Sequence, residues 1–238
     1  QDGATLEQFQ WRANGPLAML GADVALEGMV QSAGSLQRIS SSLTVANGQF
    51  RIPSAGMQPI EAKQLSTEVA VSRSGSQYYK VDVQDMTLSN EDGLVTARGS
   101  WHTDEASADK SGQLDINGTL ARFKLGRLHH YMPDTVDPEA RQWLTRAFTS
   151  GSVPRASFQI DGTVDDFPSG TTEEPGTFRI NGNVQDVGID FANEPGDEGL
   201  PWPVLTNLMG TLDLLNDRIE LDVSAGALTL PQGERITL

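Results

Sequence analysis

Residues 114–120 read LDINGTL, and the phrase returns as FQIDGTV at 158–164 and as FRINGNV at 178–184. The shared pattern is [L/F]-x-I-x-G-x-[L/V]. Successive side chains on a strand point to opposite faces, so apolar residues at period two make one apolar face and one wet face. In the first copy Leu114, Ile116 and Leu120 take one face, and Asp115, Asn117 and Thr119 take the other. In the second, Phe158, Ile160 and Val164 oppose Gln159, Asp161 and Thr163. In the third the apolar set is Phe178, Ile180 and Val184. Strands with one wet face belong to antiparallel sheets rather than to parallel βαβ layers. The glycine at the fifth position fits a bend or bulge, which would help to curve the sheet.

The same alternation runs through the rest of the chain. A hairpin rhythm occurs three times: Ile39, Leu43 and Val45 before Asn47-Gly48; Leu65, Val69 and Val71 before Ser74-Gly75-Ser76; and Leu208, Leu212 and Leu214 before Asn216-Asp217. Each is followed by a second alternating arm, which is the pattern of a β-hairpin. A further phrase, VQDMTL at 83–88, is echoed by VQDVGI at 184–189. Degenerate internal similarity of this kind marks stacked supersecondary units. The period-two template matches roughly fourteen strands. Two acidic stretches rich in Pro and Gly, Ala192–Pro203 and Phe167–Gly176, read as surface excursions.

One helix interrupts the strands, in Leu128–Gly151. Asp137 suits the N-cap, Pro138 the first helical position, and Glu139 the positive end of the dipole. Ala140, Trp143, Leu144, Ala147 and Phe148 follow the i, i+3, i+4, i+7, i+8 spacing of one apolar stripe. Gly151 offers a C-terminal stop. A helix of about twelve residues cannot cover so many apolar strand faces. The sheet must therefore cover itself, as a sandwich, a closed barrel or a curved trough. Only the trough leaves the apolar face open to a ligand, and acyl chains would gain about 0.8 kcal/mol per CH₂ removed from water.

Composition narrows the function classes. The chain has 238 residues, 17 Lys plus Arg against 32 Asp plus Glu, and a net charge of −15. Such acidity opposes nucleic acid, whose phosphates it repels. There is no cysteine, so disulfides and thiolate metal sites are excluded. No run approaches the ~18 apolar residues of a membrane-spanning helix. The chain begins at Gln1 and reads as an excised segment of a longer protein. Catalytic constellations are weak. His129 and His130, placed on a strand, would point to opposite faces and could not share a metal ion, and His102 alone does not complete a site. The acid pairs Asp165/Asp166 and Asp134/Asp137 sit beside turn signals, where acids are common. No Gly-rich phosphate loop opens a helix, so neither cofactor nor metal is expected.

The order of motifs is similar to that of a known family. HYMP at 130–133, PEARQWLTRAF at 138–148, Gly151, Gly162, DFP at 166–168 and WP at 202–203 resemble the central region of YhdP-type members of the AsmA-like group of Gram-negative envelope proteins. The motifs carrying this begin near residue 100, and earlier residues match in hairpin rhythm. The resemblance implies a non-enzymatic, periplasm-spanning bridge, anchored in the inner membrane by a helix outside this segment and reaching toward the outer membrane. Phospholipid acyl chains would slide along an apolar groove lined by Leu114, Ile116, Leu120, Phe158, Ile160, Val164, Phe178, Ile180 and Val184. The expected architecture is mostly β: a curved antiparallel sheet of degenerate hairpin repeats, trough-like or open-barrel, with one amphipathic helix. The whole of 1–238 reads as one β-rich segment, with hairpin repeats at 1–127, the helical insertion at 128–151 and further repeats at 152–238. The competing reading is a structural or adhesive β-sandwich that binds protein or glycan on its polar face.

Overall fold

The alternating stretches pair with one another in the order in which they occur. The computed structural model describes residues 5–13, 23–33, 36–50, 59–74, 78–103, 112–131, 138–163, 176–190, 203–216 and 218–238. Twelve strands lie there: β1 Thr5–Ala13, β2 Asp23–Ala33, β3 Leu36–Phe50, β4 Ile60–Ser74, β5 Tyr78–Ser89, β6 Leu94–His102, β7 Gln113–Lys124, β8 Phe148–Thr163, β9 Thr177–Asp190, β10 Val204–Leu215, β11 Arg218–Thr229 and β12 Arg235–Thr237. A 3-10 helix, Leu125–Tyr131, and one α-helix, α1 Pro138–Ala147, separate β7 from β8. All twelve strands form one open sheet in sequence order, with β1 and β12 at its ends. The protein is thus mostly β and antiparallel, with one short α-helix. The strand count is twelve rather than fourteen among the described residues.

The chain divides into two compact units. Unit 1 holds Gln1–Phe50, Glu61–Thr119 and Phe158–Phe178, and unit 2 holds Arg51–Ile60, Leu120–Ser157 and Arg179–Leu238. The surface excursions read into 167–176 and 192–203 fall almost wholly outside the described residues.

A recurring bulge shapes both units. In β5, Val83 pairs with Gly99 and Met86 with Ala97, so Gln84 and Asp85 stand opposite Arg98 alone. In β9, Gln185 and Asp186 stand opposite Met209, and in β10 Thr206 and Asn207 stand opposite Gly188. Asp85, Asp186 and Asn207 have φ of 49°, 54° and 53°, and Arg122 in β7 has 55°. Left-handed backbone is tolerated best by Asn and Asp after Gly, which suits three of these four positions. The extra residue bends the strand and lets an apolar residue return to the same side after a change of parity. Hence β9 buries Val184, then Val187 and Ile189, and β7 runs from Leu120 to buried Phe123.

Three local readings are corrected by the structure. Asn47-Gly48 is not a hairpin turn: β3 continues through it to Phe50, and Asn47, φ 52°, sits within the strand. A left-handed residue serves a turn or a bulge equally, and the partner strand decides between them. The glycine of the repeated phrase answers close packing rather than a bend in two of its copies. A Cβ at Gly118 would strike the Phe158 ring, and one at Gly182 would strike Ala156. Lastly, α1 ends at Ala147, so Phe148 opens β8 and Gly151 lies within that strand. Gly151 has φ 119°, and a Cβ there would meet Val187 and Leu125. The other two hairpins stand: Ser74 pairs with Tyr78 across the β4–β5 connection, and Asn216, φ 54°, opens the two-residue β10–β11 turn.

Candidate functional site

The apolar side of unit 1 is built row by row. Val69 pairs with Val83 and Val83 with Gly99; Val71 pairs with Val81 and Val81 with Trp101. Directly opposed residues share a face, so these rows are apolar across β4, β5 and β6. The face continues into β7, because the missing Cβ of Gly99 leaves room for the backbone and side chain of Ile116. It continues into β8, because Gly118 leaves room for the Phe158 ring. Of the predicted lining residues, Leu114, Ile116, Phe158, Ile160 and Phe178 therefore fall in unit 1, and all five are half-buried. Val71 is 40% exposed and Tyr79 38% exposed on the same side. Among the described residues of unit 1 the buried apolar ones are Ala62, Ala70 and Leu88.

Unit 2 treats its apolar side differently. Phe123, Leu125, Ala147, Val153, Ala156, Val184, Val187, Ile189 and Leu208 form one buried cluster. Trp143 of α1, Leu128 and Tyr131 of the 3-10 helix, and Phe148 pack against it. Tyr131 meets Phe123 edge to face, with ring centroids 5.2 Å apart, a favoured aromatic geometry. Of the predicted lining residues in this unit, Val184 is 5% exposed within the cluster, while Leu120 and Ile180 are half-buried against it. Covering lessens along the strands. The row Val184–Gly210–Val223 lies near the cluster, Gly182–Leu212–Leu221 follows, and the last row is Ile180–Leu214–Ile219. Ile219 is 61% exposed. Of the stripe predicted for the helix, Trp143 and Ala147 face the cluster. Val164, Asp137 and the side chains of Ala140 and Leu144 lie outside the described residues.

The opposite side is polar and solvated. Arg179 donates to Asp213 from Nε at 3.2 Å and from a terminal nitrogen at 2.6 Å. This hydrogen bonding holds the Asp213 carboxyl below the usual carboxylate range and raises Arg179. Lys80 pairs with Asp82 at 2.8 Å, and Arg218 pairs with Glu220. The Thr96 and Thr119 hydroxyls lie 2.8 Å apart across two strands. Exposed pairs of this kind add little stability each, and they keep the wet face wet.

His129 and His130 lie on the 3-10 helix rather than a strand, and their rings are 4.1 Å apart rather than on opposite faces. Among the described residues, no three His, Cys, Asp or Glu side chains are grouped to hold a metal ion. The acid pairs Asp134/Asp137 and Asp165/Asp166 lie outside the described residues. What sequence reasoning missed is the bulge in each VQD phrase and the placing of Tyr79 and Trp101 beside the valine rows. The repeated VQD phrase was the visible trace of the bulge, since Asp accepts positive φ.

A family model described as YhdP protein matches residues 4–237. No curated protein and no solved structure matches the chain.

Proposed function

The chain belongs to the YhdP family, and on that footing we propose that it is a non-enzymatic part of a bridge that carries phospholipid between membranes. The observation supporting this reading is the partly exposed apolar side of unit 1. Val71 and Tyr79 are substantially exposed there, and Ile116, Phe158 and Ile160 stay half-open. Both described helices belong to unit 2, and all described strands belong to one sheet. Among the described residues of unit 1 there is neither a helix nor a second sheet, and exposed apolar surface of this kind suits a guest. Acyl chains fit such a strip because they need no hydrogen bonds and gain about 0.8 kcal/mol per methylene removed from water.

In this reading the lining set of unit 1 is Leu114, Ile116, Phe158, Ile160 and Phe178, with headgroups left in water. In unit 2, Leu120 and Ile180 are half-buried lining candidates, Val184 is sealed within the cluster, and α1 braces that buried end. The bridge operates in the periplasm, between an inner-membrane anchor outside this segment and the outer membrane. Among the described residues no helix is long and apolar enough to cross a membrane. The competing sandwich needs a second layer of sheet, and the described strands form one sheet.

Native mass spectrometry and solvent extraction of the purified chain test the proposal. The expected result is co-purifying phospholipid that organic solvent releases. Folded chain that emerges lipid-free, and takes up none from added phospholipid, defeats it.

A further inference from the structure

At one end of the strands, the apolar side of unit 1 finishes in a cation. Arg73 pairs directly with Tyr79, one row beyond the Val71–Val81 pair and two beyond Val69–Val83. Residues two apart on a strand share a face, so Arg73 and Tyr79 extend the valine rows. The Arg73 guanidinium carbon lies 5.6 Å from the centre of the Tyr79 ring. Lys63, Lys80, Arg179 and Arg218 each face a carboxylate, whereas no carboxylate of the described residues pairs with Arg73. The Tyr79 backbone is pinned on both sides. Its N–H donates to Thr103 Oγ1 at 2.9 Å, and the Thr103 N–H donates to its carbonyl at 2.9 Å. Trp101, paired with Val81, flanks it on the same side, and a Cβ at Gly112 would collide with its indole.

These residues suit an amphiphile. A guanidinium held near a ring by cation–π attraction still has its N–H groups to offer an oxyanion. Arginine meets phosphate in a bidentate fork, and the tyrosine hydroxyl supplies a further donor. Tyr and Trp favour boundaries where one end is apolar and the other wet. A chain of net charge −15 repels anions at a distance, so an anionic group needs a local cation to settle. We propose that Arg73, with Tyr79 beside it, binds the phosphodiester of a phospholipid whose acyl chains lie over Val69, Val71 and Val81. The site rests on the lipid-carrying reading above and adds to it a place where a headgroup is held.

Three probes separate the sources of the phosphate: dihexanoylphosphatidylglycerol, dihexanoylglycerol with the same tails and no phosphate, and inorganic phosphate alone. Binding of each to the whole chain is measured by calorimetry, for the parent and for Arg73→Gln and Arg73→Lys, with circular dichroism checking the fold. The parent should bind the phospholipid about tenfold or more tightly than the neutral lipid, the scale of a charge-assisted hydrogen bond. Arg73→Gln should erase that difference, and Arg73→Lys should restore only part of it, because an ammonium lacks the fork. If both lipids bind and Arg73→Gln leaves the phospholipid advantage intact, the site is refuted while the groove stands. If phosphate alone binds as tightly as the phospholipid, the lipid headgroup is refuted as the source. If neither lipid binds the parent, the groove reading fails and the site fails with it.

Discussion

Ile160→Asp puts the open face to a quantitative test. Full burial of an isoleucine side chain is worth about 1.5–3 kcal/mol, and Ile160 is only half-buried, so about 1–1.5 kcal/mol is at stake in the fold. The new carboxylate reaches water and escapes the large desolvation penalty of a buried charge. A loss of that size should lower the melting temperature by about 2–6 °C in a chain of this length. Leu208, 0% exposed, is the reference for a sealed site: Leu208→Ala should cost about 2–5 kcal/mol. The effect on lipid is larger than the effect on fold. One strand spacing, about 4.8 Å, spans roughly four methylenes of an extended chain, and a charge beneath them forfeits about 3 kcal/mol of contact. That is roughly a hundredfold loss of occupancy. The assay is bound lipid per folded chain by native mass spectrometry, with thermal melts alongside. If Ile160→Asp costs as much stability as Leu208→Ala, the face is sealed. If the folded variant keeps parental lipid, Ile160 does not line the path.

Three further outcomes follow from the packing and the charges. Gly118→Val should cost about 1–3 kcal/mol by overpacking against Phe158, and pairing it with Phe158→Leu should recover part, read from urea midpoints. Asp186→Val should cost about 1–2 kcal/mol, because a β-branched residue resists φ of 54°, whereas Asp186→Gly should be tolerated in the same denaturation series. Arg179 holds the Asp213 pKa low, so the stabilisation it gives is complete above the unfolded-state pKa and lost as pH falls through the lowered folded value. Melting temperatures of Asp213→Asn across the acid range should therefore fall less steeply than those of the parent.

The strands were legible because alternation is a local signal. FRINGNV states its two faces without reference to any other part of the chain. Pairing in sequence order follows, since adjacent antiparallel strands need only short connections. What stayed hidden depends on partners distant in sequence. Asn47-Gly48 carries the residues of a hairpin turn, and only the continuation of β3 past it to Phe50 makes it a strand feature. Gly118 looks like a bend until the ring of Phe158, forty positions later, is found in the space of its absent side chain. Phe148 fits the helical stripe by spacing, yet β8 claims it, which is the usual uncertainty of a helix end. Arg73 reads as one more surface charge until its register row sets it on the apolar side.

The size of α1 explains where unit 2 is closed and where it is open. Ten residues at 1.5 Å each make a helix about 15 Å long, or roughly three strand spacings of about 4.8 Å. The strand residues of the buried cluster come from β7, β8, β9 and β10, with Leu208 the single contribution of β10. Along β11 the cover thins from one end to the other: Ala227 is buried, Leu221 and Val223 are half-buried, and Ile219 is mostly in water. The bulges at Asp186 and Asn207, and the left-handed residue Arg122, lie on strands that carry the cluster, where bending helps to gather apolar residues on one side. An amphipathic sheet can satisfy its apolar side with a helix, a second sheet or a guest. Unit 2 uses a helix at one end of its strands. Unit 1 has the same alternation with neither a helix nor a second sheet among its described residues, and it is over Ile116, Phe158 and Ile160 that the proposed guest would lie.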